Sequence, residues 1–300
     1  MIPGDFDYLR PRTKSEALTM LREGGDEARP IAGGHSLIPM MKLRMATPER
    51  LVDLGALSDL NYIDIDKEVR IGASVTQHQL IESTELHDAC PILRETALLI
   101  ADPQIRYCGT IGGNVANGDP GNDMPALMQC LDATYIIEST NGKREVKARD
   151  FYQGAYFTAL ETGELITGIR FKAPAQGHGY SYQKLKRKVG DYATAAAAVV
   201  LSMSEDNVLD ASVALTNLAD TPLYVAEAES ILTSAPLSPI TIKGAVKAAE
   251  AIMAPASDGR GSSEYRTRMG GVMVQRAIEA AVERADKTAK KGGLFGWLKR

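Results

Sequence analysis

The sequence predicts an α+β fold in which two mixed subdomains precede a small antiparallel sheet covered by helices. In residues 1–175, short strand-like runs and helical runs follow one another, as in mixed α+β layers. The stretch PAQGHG over 174–179 interrupts both kinds of run and predicts a domain boundary. Over 179–285, strand-like segments come first and helical segments follow, which favours a sheet packed on helices.

The first subdomain, expected over about residues 1–57, opens with a helix. Thr13 and Glu16 have the spacing of a capping box, and Gly24-Gly25 ends the apolar stripe that follows. The sequence predicts these elements: a helix over 13–25 and strands over 29–32 and 51–54.

The second subdomain, expected over about residues 58–175, contains two turn signals. Asp66-Lys67 separates residues that alternate in polarity, and Asn141-Gly142 favours the positive φ of a hairpin turn. A Gly- and Asn-rich stretch over 109–123 has apolar residues set into it, so we expect it to be ordered. The predicted elements are a strand pair over 61–75, helices near 77–83 and 90–101, hairpin strands over 135–138 and 144–147, and a strand over 165–171.

The C-terminal part is expected to form strands joined by short turns and then helices. Asp206-Asn207 is a turn signal, and Pro222 suits the first turn of a helix because its ring presets the helical φ. The predicted elements are strands over 180–185, 195–203 and 209–216, and helices over 222–232, 239–253 and 264–285.

Composition excludes several functions. The hydrophobic fraction of 44% is sufficient for a globular core. The net charge of −4 argues against nucleic acid as a partner, because phosphate binding needs a basic face. The first residues, MIPGDFDYLR, lack the features of a signal peptide, and no apolar run is long enough for a membrane span. We therefore expect a cytoplasmic protein.

The three cysteines, Cys90, Cys108 and Cys130, are widely spaced. Zinc and iron–sulfur sites need clustered thiolates, and no C-x-x-C pair is present. We expect reduced, partly buried thiols and no metal site in this chain.

Two glycine-rich segments carry the strongest functional signal. One reads AGGHSL over 32–37, and the other reads TIGGN over 110–114. Paired glycines let the backbone approach a ligand closely and turn N–H groups toward an anion, and Ser36, Thr110 and Asn114 add side-chain donors. Neither segment fits the G-x-G-x-x-G or G-x-x-x-x-G-K-[ST] patterns. We expect the two together to hold a pyrophosphate.

These segments resemble the pyrophosphate-binding loops of vanillyl-alcohol-oxidase-type flavoproteins, and more narrowly those of the FAD-binding subunits of molybdenum hydroxylases. The resemblance covers about residues 3–285, including the C-terminal domain typical of those subunits, and implies FAD bound non-covalently. Three further stretches, NGDPGNDMPALM, KLKRKVGDYAT and YRTRMGGVM, look closest to the medium subunits that serve carbon monoxide oxidation in that family.

The resemblance assigns cofactor-binding roles to matching positions. The glycine-rich segments would hold the diphosphate and neighbouring sugar groups, and Asp123 would accept hydrogen bonds from cofactor hydroxyls. Ile166 would pack on the flavin or the adenine, while Lys184 and Tyr192 would reach the flavin. The complete expected set is Ile31, Ala32, Gly33, Gly34, His35, Ser36, Leu37, Thr110, Ile111, Gly112, Gly113, Asn114, Asp123, Ile166, Lys184 and Tyr192.

Several of these residues have an alternative structural reading. Asp123 could cap the helix that follows it, and Lys184 could belong to a solvated basic edge with 186–188. Tyr192 could be a core aromatic. His35 occupies the position that carries a covalent flavin in some relatives of the fold, although the molybdenum hydroxylase subunits hold theirs non-covalently.

The resemblance also implies partner subunits. A large subunit would carry the molybdenum cofactor and oxidise CO to CO2, and a small subunit would carry [2Fe-2S] clusters. Electrons would pass through FAD on this chain to a quinone or another acceptor, in a dimer of heterotrimers. The chain itself would then need no catalytic acid or base, and we predict none.

Three other functions are kept open. The chain could serve a molybdenum hydroxylase for a heterocycle or an aldehyde, it could be a self-contained flavin oxidase, or it could be a non-catalytic scaffold. The last residues, 286–300, are expected to be a flexible tail whose basic stretch 287–291 and apolar cluster 294–298 contact a partner or, weakly, the inner face of a membrane.

Overall fold

The structure is a computed structural model that describes residues 2–286. The N-terminal strands form a three-stranded parallel sheet. Its strand order is β1-β3-β2. The elements are β1 (Asp7–Leu9), α1 (Lys14–Gly24), β2 (Ala28–Ile31), α2 (Leu37–Lys42) and β3 (Arg50–Asp53). The predicted start of α1 is confirmed, since the Thr13 hydroxyl accepts the Glu16 N–H. The Glu16 carboxylate accepts the N–H of Arg12 rather than that of Thr13.

A five-stranded antiparallel sheet forms the second subdomain, with β10 at its centre in the order β4-β5-β10-β6-β7. The elements are β4 (Ile63–Ile65), β5 (Val69–Gly72), α3 (Gln77–Glu82), α4 (Thr84–Ala89), α5 (Pro91–Leu99), α6 (Pro103–Cys108), α7 (Ile111–Ala116), α8 (Asp123–Cys130), β6 (Thr134–Ser139), β7 (Gly142–Lys147), α9 (Ala148–Phe151), β8 (Tyr152–Gly154), β9 (Phe157–Thr158) and β10 (Leu165–Phe171).

Two local details of this subdomain differ from the prediction. Ser139 pairs with Gly142 across the β6–β7 hairpin, so Thr140-Asn141 forms the turn and only Gly142 has a positive φ, +131°. The helices α4, α6 and α7, like α2 of the first subdomain, were not predicted as helices. Each is only six residues long, which is too short to show a 3.6-residue period.

A four-stranded antiparallel sheet and three helices form the C-terminal part. The elements are β11 (Gly179–Leu185), β12 (Ala195–Ser204), β13 (Asn207–Thr216), β14 (Leu223–Tyr224), α10 (Ala226–Thr233), α11 (Pro239–Ile252) and α12 (Ser263–Arg284). The helix predicted from Pro222 begins later than expected, because the residues after Pro222 pair with β13 as an edge strand. The β12–β13 turn is Glu205-Asp206, with Glu205 at φ +54°.

Strand β12 is buried on both faces, which explains its run of alanine and valine. Ala196 and Ala198 pack into the core of the second subdomain, whereas Ala197 and Val199 pack against the C-terminal helices. Successive strand residues point to opposite sides of a sheet. The C-terminal sheet is therefore a layer between two cores, and this holds the C-terminal part in place over the second subdomain.

Arg266 ties α12 to three loop carbonyls and is 3% exposed. Its guanidinium donates to Thr194 at 3.2 Å, to Ala256 at 2.7 Å and to Asn217. We predict that Arg266→Ala lowers the free energy of unfolding by roughly 3 kcal/mol, because three backbone carbonyls lose a charged donor that is itself buried. Arg266→Lys should lower the free energy of unfolding by less, because the ammonium still donates hydrogen bonds. Denaturant unfolding of the two variants measures this, and equal stability of Arg266→Ala and the parent would contradict it.

Candidate active site: a cleft lined by the two glycine-rich segments

A cleft of about 1070 Å³ lies where the two subdomains and the C-terminal sheet meet. All but one of the predicted site residues line it. The exception is Ile111, whose side chain is fully buried in the hydrophobic core of the second subdomain. The residues brought together are Ile31, Ala32, Gly33, Gly34, His35, Ser36, Leu37, Thr110, Gly112, Gly113, Asn114, Asp123, Ile166, Lys184 and Tyr192.

The first glycine-rich segment turns from the end of β2 into α2. Gly34 has a φ of +72°, a conformation that favours glycine. Within residues 2–286, the N–H groups of 33–37 have no protein acceptor. A row of free N–H groups in such a turn forms a concave site for an anion.

The second glycine-rich segment is the start of α7 rather than an open loop. The Thr110 hydroxyl accepts the Gly113 N–H at 3.1 Å, which caps the helix. The N–H groups of Ile111 and Gly112 donate to the carbonyls of Val75 and Ala73. The expectation that these N–H groups face an anion is therefore wrong for residues 111–113, because the protein itself satisfies them.

Gly33 brings the first glycine-rich segment into backbone contact with the two residues that precede the second. A Cβ atom on Gly33 would lie 2.2 Å from the carbonyl oxygen of Cys108 and 2.8 Å from the Cα of Gly109. Real Cβ atoms do not approach a carbonyl oxygen so closely. Glycine at this position is therefore required for the first subdomain to dock on the second along this edge of the cleft.

A buried ion pair joins the second subdomain to the C-terminal sheet. The Lys184 ammonium lies 2.7 Å from Asp123, and the two side chains are 1% and 5% exposed. The Tyr182 hydroxyl donates to the same carboxylate at 2.6 Å. Burial raises the pKa of Asp123, and the Lys184 charge and both hydrogen bonds oppose this shift. Asp123 is not a helix cap, because Asn122 occupies the N-cap of α8.

The members of the basic cluster 184–188 differ in how exposed their side chains are. Lys184 is almost inaccessible, so a solvated edge does not describe it, and its ammonium also donates to the carbonyl of Leu99 at 3.2 Å. Arg187 and Lys188 are exposed, and Arg187 pairs with Asp191. Of this cluster, Lys184 alone among the described residues lines the cleft.

Tyr192 and Ile166 form apolar parts of the cleft wall. Tyr192 is 41% exposed, so it is not a core aromatic, and its ring lies against Gly121. Ile166 is buried on β10, next to an irregularity in the β10–β6 pairing. The His35 side chain is exposed at the rim.

The sequence analysis missed other residues of the cleft. The β8–β9 hairpin contributes Tyr156, Phe157 and Thr158, and α3 contributes Gln77. Tyr182, which lies on β11, orients Asp123 by donating a hydrogen bond to its carboxylate. No local motif marks these residues, because only the chain fold brings them to the cleft.

The three cysteines are all free but differ in exposure. Cys90 and Cys130 are buried free thiols, and Cys108 is an exposed one. In the part of the chain that the structure describes, no three His, Cys, Asp or Glu side chains cluster as a metal site would require. None of the helices within residues 2–286 combines the length and the apolar character of a membrane span.

The comparison with protein families agrees with this architecture. Residues 4–174 match the FAD binding domain in molybdopterin dehydrogenase, and residues 180–281 match the CO dehydrogenase flavoprotein C-terminal domain. The chain therefore belongs to the FAD-binding subunits of the molybdopterin dehydrogenase family, and the predicted family and fold class are confirmed.

Within that family, this chain is very similar to the medium chains of carbon monoxide dehydrogenases. The medium chain from Afipia carboxidovorans is 61% identical over 95% of this chain and 99% of its own length. The medium chain from Hydrogenophaga pseudoflava is 45% identical over 94% of this chain and 98% of its own length. A chain of reconstituted CO dehydrogenase from Oligotropha carboxidovorans superposes with a TM-score of 0.94 at 61% identity, covering 95% of this chain and 100% of its own.

Gly33→Ala tests the backbone contact between the subdomains. We predict a loss of about 1–3 kcal/mol of stability, since the added methyl group must displace the Cys108 carbonyl, together with loss of bound flavin from the purified complex. Flavin absorbance per subunit and the thermal midpoint measure both effects. The control is Gly154→Ala, where the new Cβ meets its nearest neighbour at an ordinary 3.7 Å. If Gly33→Ala and Gly154→Ala had the same flavin content and the same thermal midpoint, the contact at Gly33 would not be needed for docking of the two subdomains.

Lys184→Met tests the buried ion pair. We predict destabilisation by about 3–5 kcal/mol, because the Asp123 carboxylate loses its counter-charge in a buried site. The double variant Asp123→Asn/Lys184→Met should recover part of that loss, since no unpaired charge remains. Lys188→Met, on an exposed member of the same cluster, is the control. Additive losses in the double variant would show that the two residues do not interact.

Proposed function

We propose that this chain binds FAD non-covalently in the cleft and serves as the electron-transfer subunit of a molybdenum hydroxylase that oxidises CO to CO2. The observation that carries the proposal is the match of both parts of the chain to one flavoprotein family, with 61% identity to a carbon monoxide dehydrogenase medium chain. When bound, FAD supplies the redox chemistry, and the protein supplies position and electrostatics.

The cleft fits a dinucleotide with a negatively charged diphosphate. The free N–H groups of 33–37 offer an anion site that needs no basic side chain. Gly33 keeps this row next to the start of α7, where Thr110 and Asn114 line the same space. The diphosphate and its neighbouring sugar groups are assigned to these two segments.

The remaining predicted residues take separate roles in the proposal. Ile166 offers an apolar surface to one of the ring systems, and Tyr192 offers an aromatic ring to the flavin. Lys184 donates to Asp123 and to a carbonyl, and an ammonium has three N–H groups, which leaves one donor for the ligand. Asp123 fixes that ammonium, and a carboxylate has further lone pairs for cofactor hydroxyls.

The chain acts with partner subunits. A medium chain implies a large and a small companion, which carry the molybdenum cofactor and the [2Fe-2S] clusters. We further propose a dimer of such heterotrimers, a quinone or another electron acceptor, and a cytoplasmic location at the inner face of the membrane. The tail expected to make that contact, 287–300, lies outside the described residues.

The visible spectrum of the natively purified complex tests this function. Adding CO without oxygen should bleach the flavin bands, because electrons from CO then reach this subunit. Bleaching by a heterocycle or an aldehyde but not by CO would move the function to another hydroxylase. A purified chain that is colourless and binds no FAD would favour the scaffold alternative. Flavin that stays with the acid-precipitated protein would show covalent attachment, with His35 the candidate position.

A further inference from the structure

Gln77 carries a buried amide that has no partner within residues 2–286. The residue is 1% exposed, and neither its Nε2 nor its Oε1 makes a hydrogen bond. A donor or an acceptor left buried and unpaired costs about 1–3 kcal/mol. Buried polar groups in native proteins are nearly always satisfied, so we expect the Gln77 amide to bind a partner from outside the chain.

The backbone around Gln77 holds this amide in the wall of the cleft. Gln77 is the first residue of α3, and its N–H donates to the carbonyl of Gly109 at 2.9 Å. Thr76, the cap of α3, forms a β-bridge with Thr110. These contacts attach the start of α3 to the start of α7, so Gln77 lies beside the second glycine-rich segment with only its side-chain amide unused.

Gln77 differs from the other buried residues that have an unpaired polar atom. Thr96, Gln129, His178 and Arg260 do not line the cleft, and Gln129 has its Nε2 bonded to a carbonyl. Of the described residues with such an atom, Gln77 alone lines the cleft. A structural role elsewhere in the core therefore does not account for it.

We propose that the Gln77 carboxamide binds a ring edge of the dinucleotide that places a hydrogen-bond donor beside an acceptor. The inference rests on the proposed function, because it takes FAD as the ligand. A carboxamide presents donors and an acceptor in one plane, which complements such an edge. FAD has two edges of this chemistry, the imide of the isoalloxazine ring and the aminopyrimidine of adenine.

Gln77→Leu tests the assignment in the full complex after removal of its flavin. The dissociation constant for FAD should rise roughly tenfold to hundredfold, which corresponds to the loss of one or two buried hydrogen bonds. The thermal midpoint of the flavin-free complex should stay the same or rise, since the substitution removes two unpaired polar atoms. Gln104→Leu, on the exposed side of α6, is the matched control and should change neither quantity.

Two further measurements identify the ring that is bound. A shift of the flavin absorption bands and midpoint potential in the loaded Gln77→Leu complex assigns the isoalloxazine edge. An unchanged spectrum with weaker binding of ADP as a probe assigns the adenine edge. Unchanged FAD affinity would overturn the proposal, and a lowered thermal midpoint beside it would give Gln77 a purely structural role. A parent complex that binds no FAD would instead overturn the proposed function.

Discussion

The backbone contact at Gly33 is the constraint on which the cleft depends. The loop after β2 and the end of α6 approach so closely that no side chain fits between them. This contact sets the distance between the parallel sheet of the first subdomain and the helices of the second. The same loop carries the free N–H groups of 33–37, so the residue that allows docking also positions the anion site.

A second constraint comes from the C-terminal sheet. Because β12 is buried on both faces, the sheet cannot slide over the second subdomain without disturbing two cores. Lys184 projects from β11 into that interface and meets Asp123 at the start of α8. A buried pair of this kind adds little net stability, but breaking it is costly, so it specifies where the sheet docks. The Tyr182 hydroxyl reinforces this register.

These constraints give the cleft three walls with different chemistry. The first subdomain contributes backbone donors, the second contributes a helix start and the amide of Gln77, and the C-terminal sheet contributes an ammonium that is held by a carboxylate. The Lys184 ammonium in the wall is paired with Asp123, and the anion site of 33–37 consists of backbone N–H groups rather than of a basic surface. This explains how a chain with a net charge of −4 can present a site for an anionic dinucleotide.

The sequence by itself determined the order of most strands and long helices, because hydrophobic period and turn residues are local signals. The two glycine-rich segments resemble those of a known flavoprotein family, and that resemblance is visible in the sequence because each segment is a short, continuous run of residues. The short helices α4, α6 and α7 were beyond such reasoning, since six residues do not display a period. Only the tertiary structure decided that Ile111 faces the core while its neighbours face the cleft. It also decided why each glycine of the first segment is needed: Gly33 allows a close approach of two backbones, and Gly34 adopts a positive φ. It also decided that Lys184 is buried and Lys188 is not, because burial depends on which layers meet over a residue and not on the residues beside it in the chain.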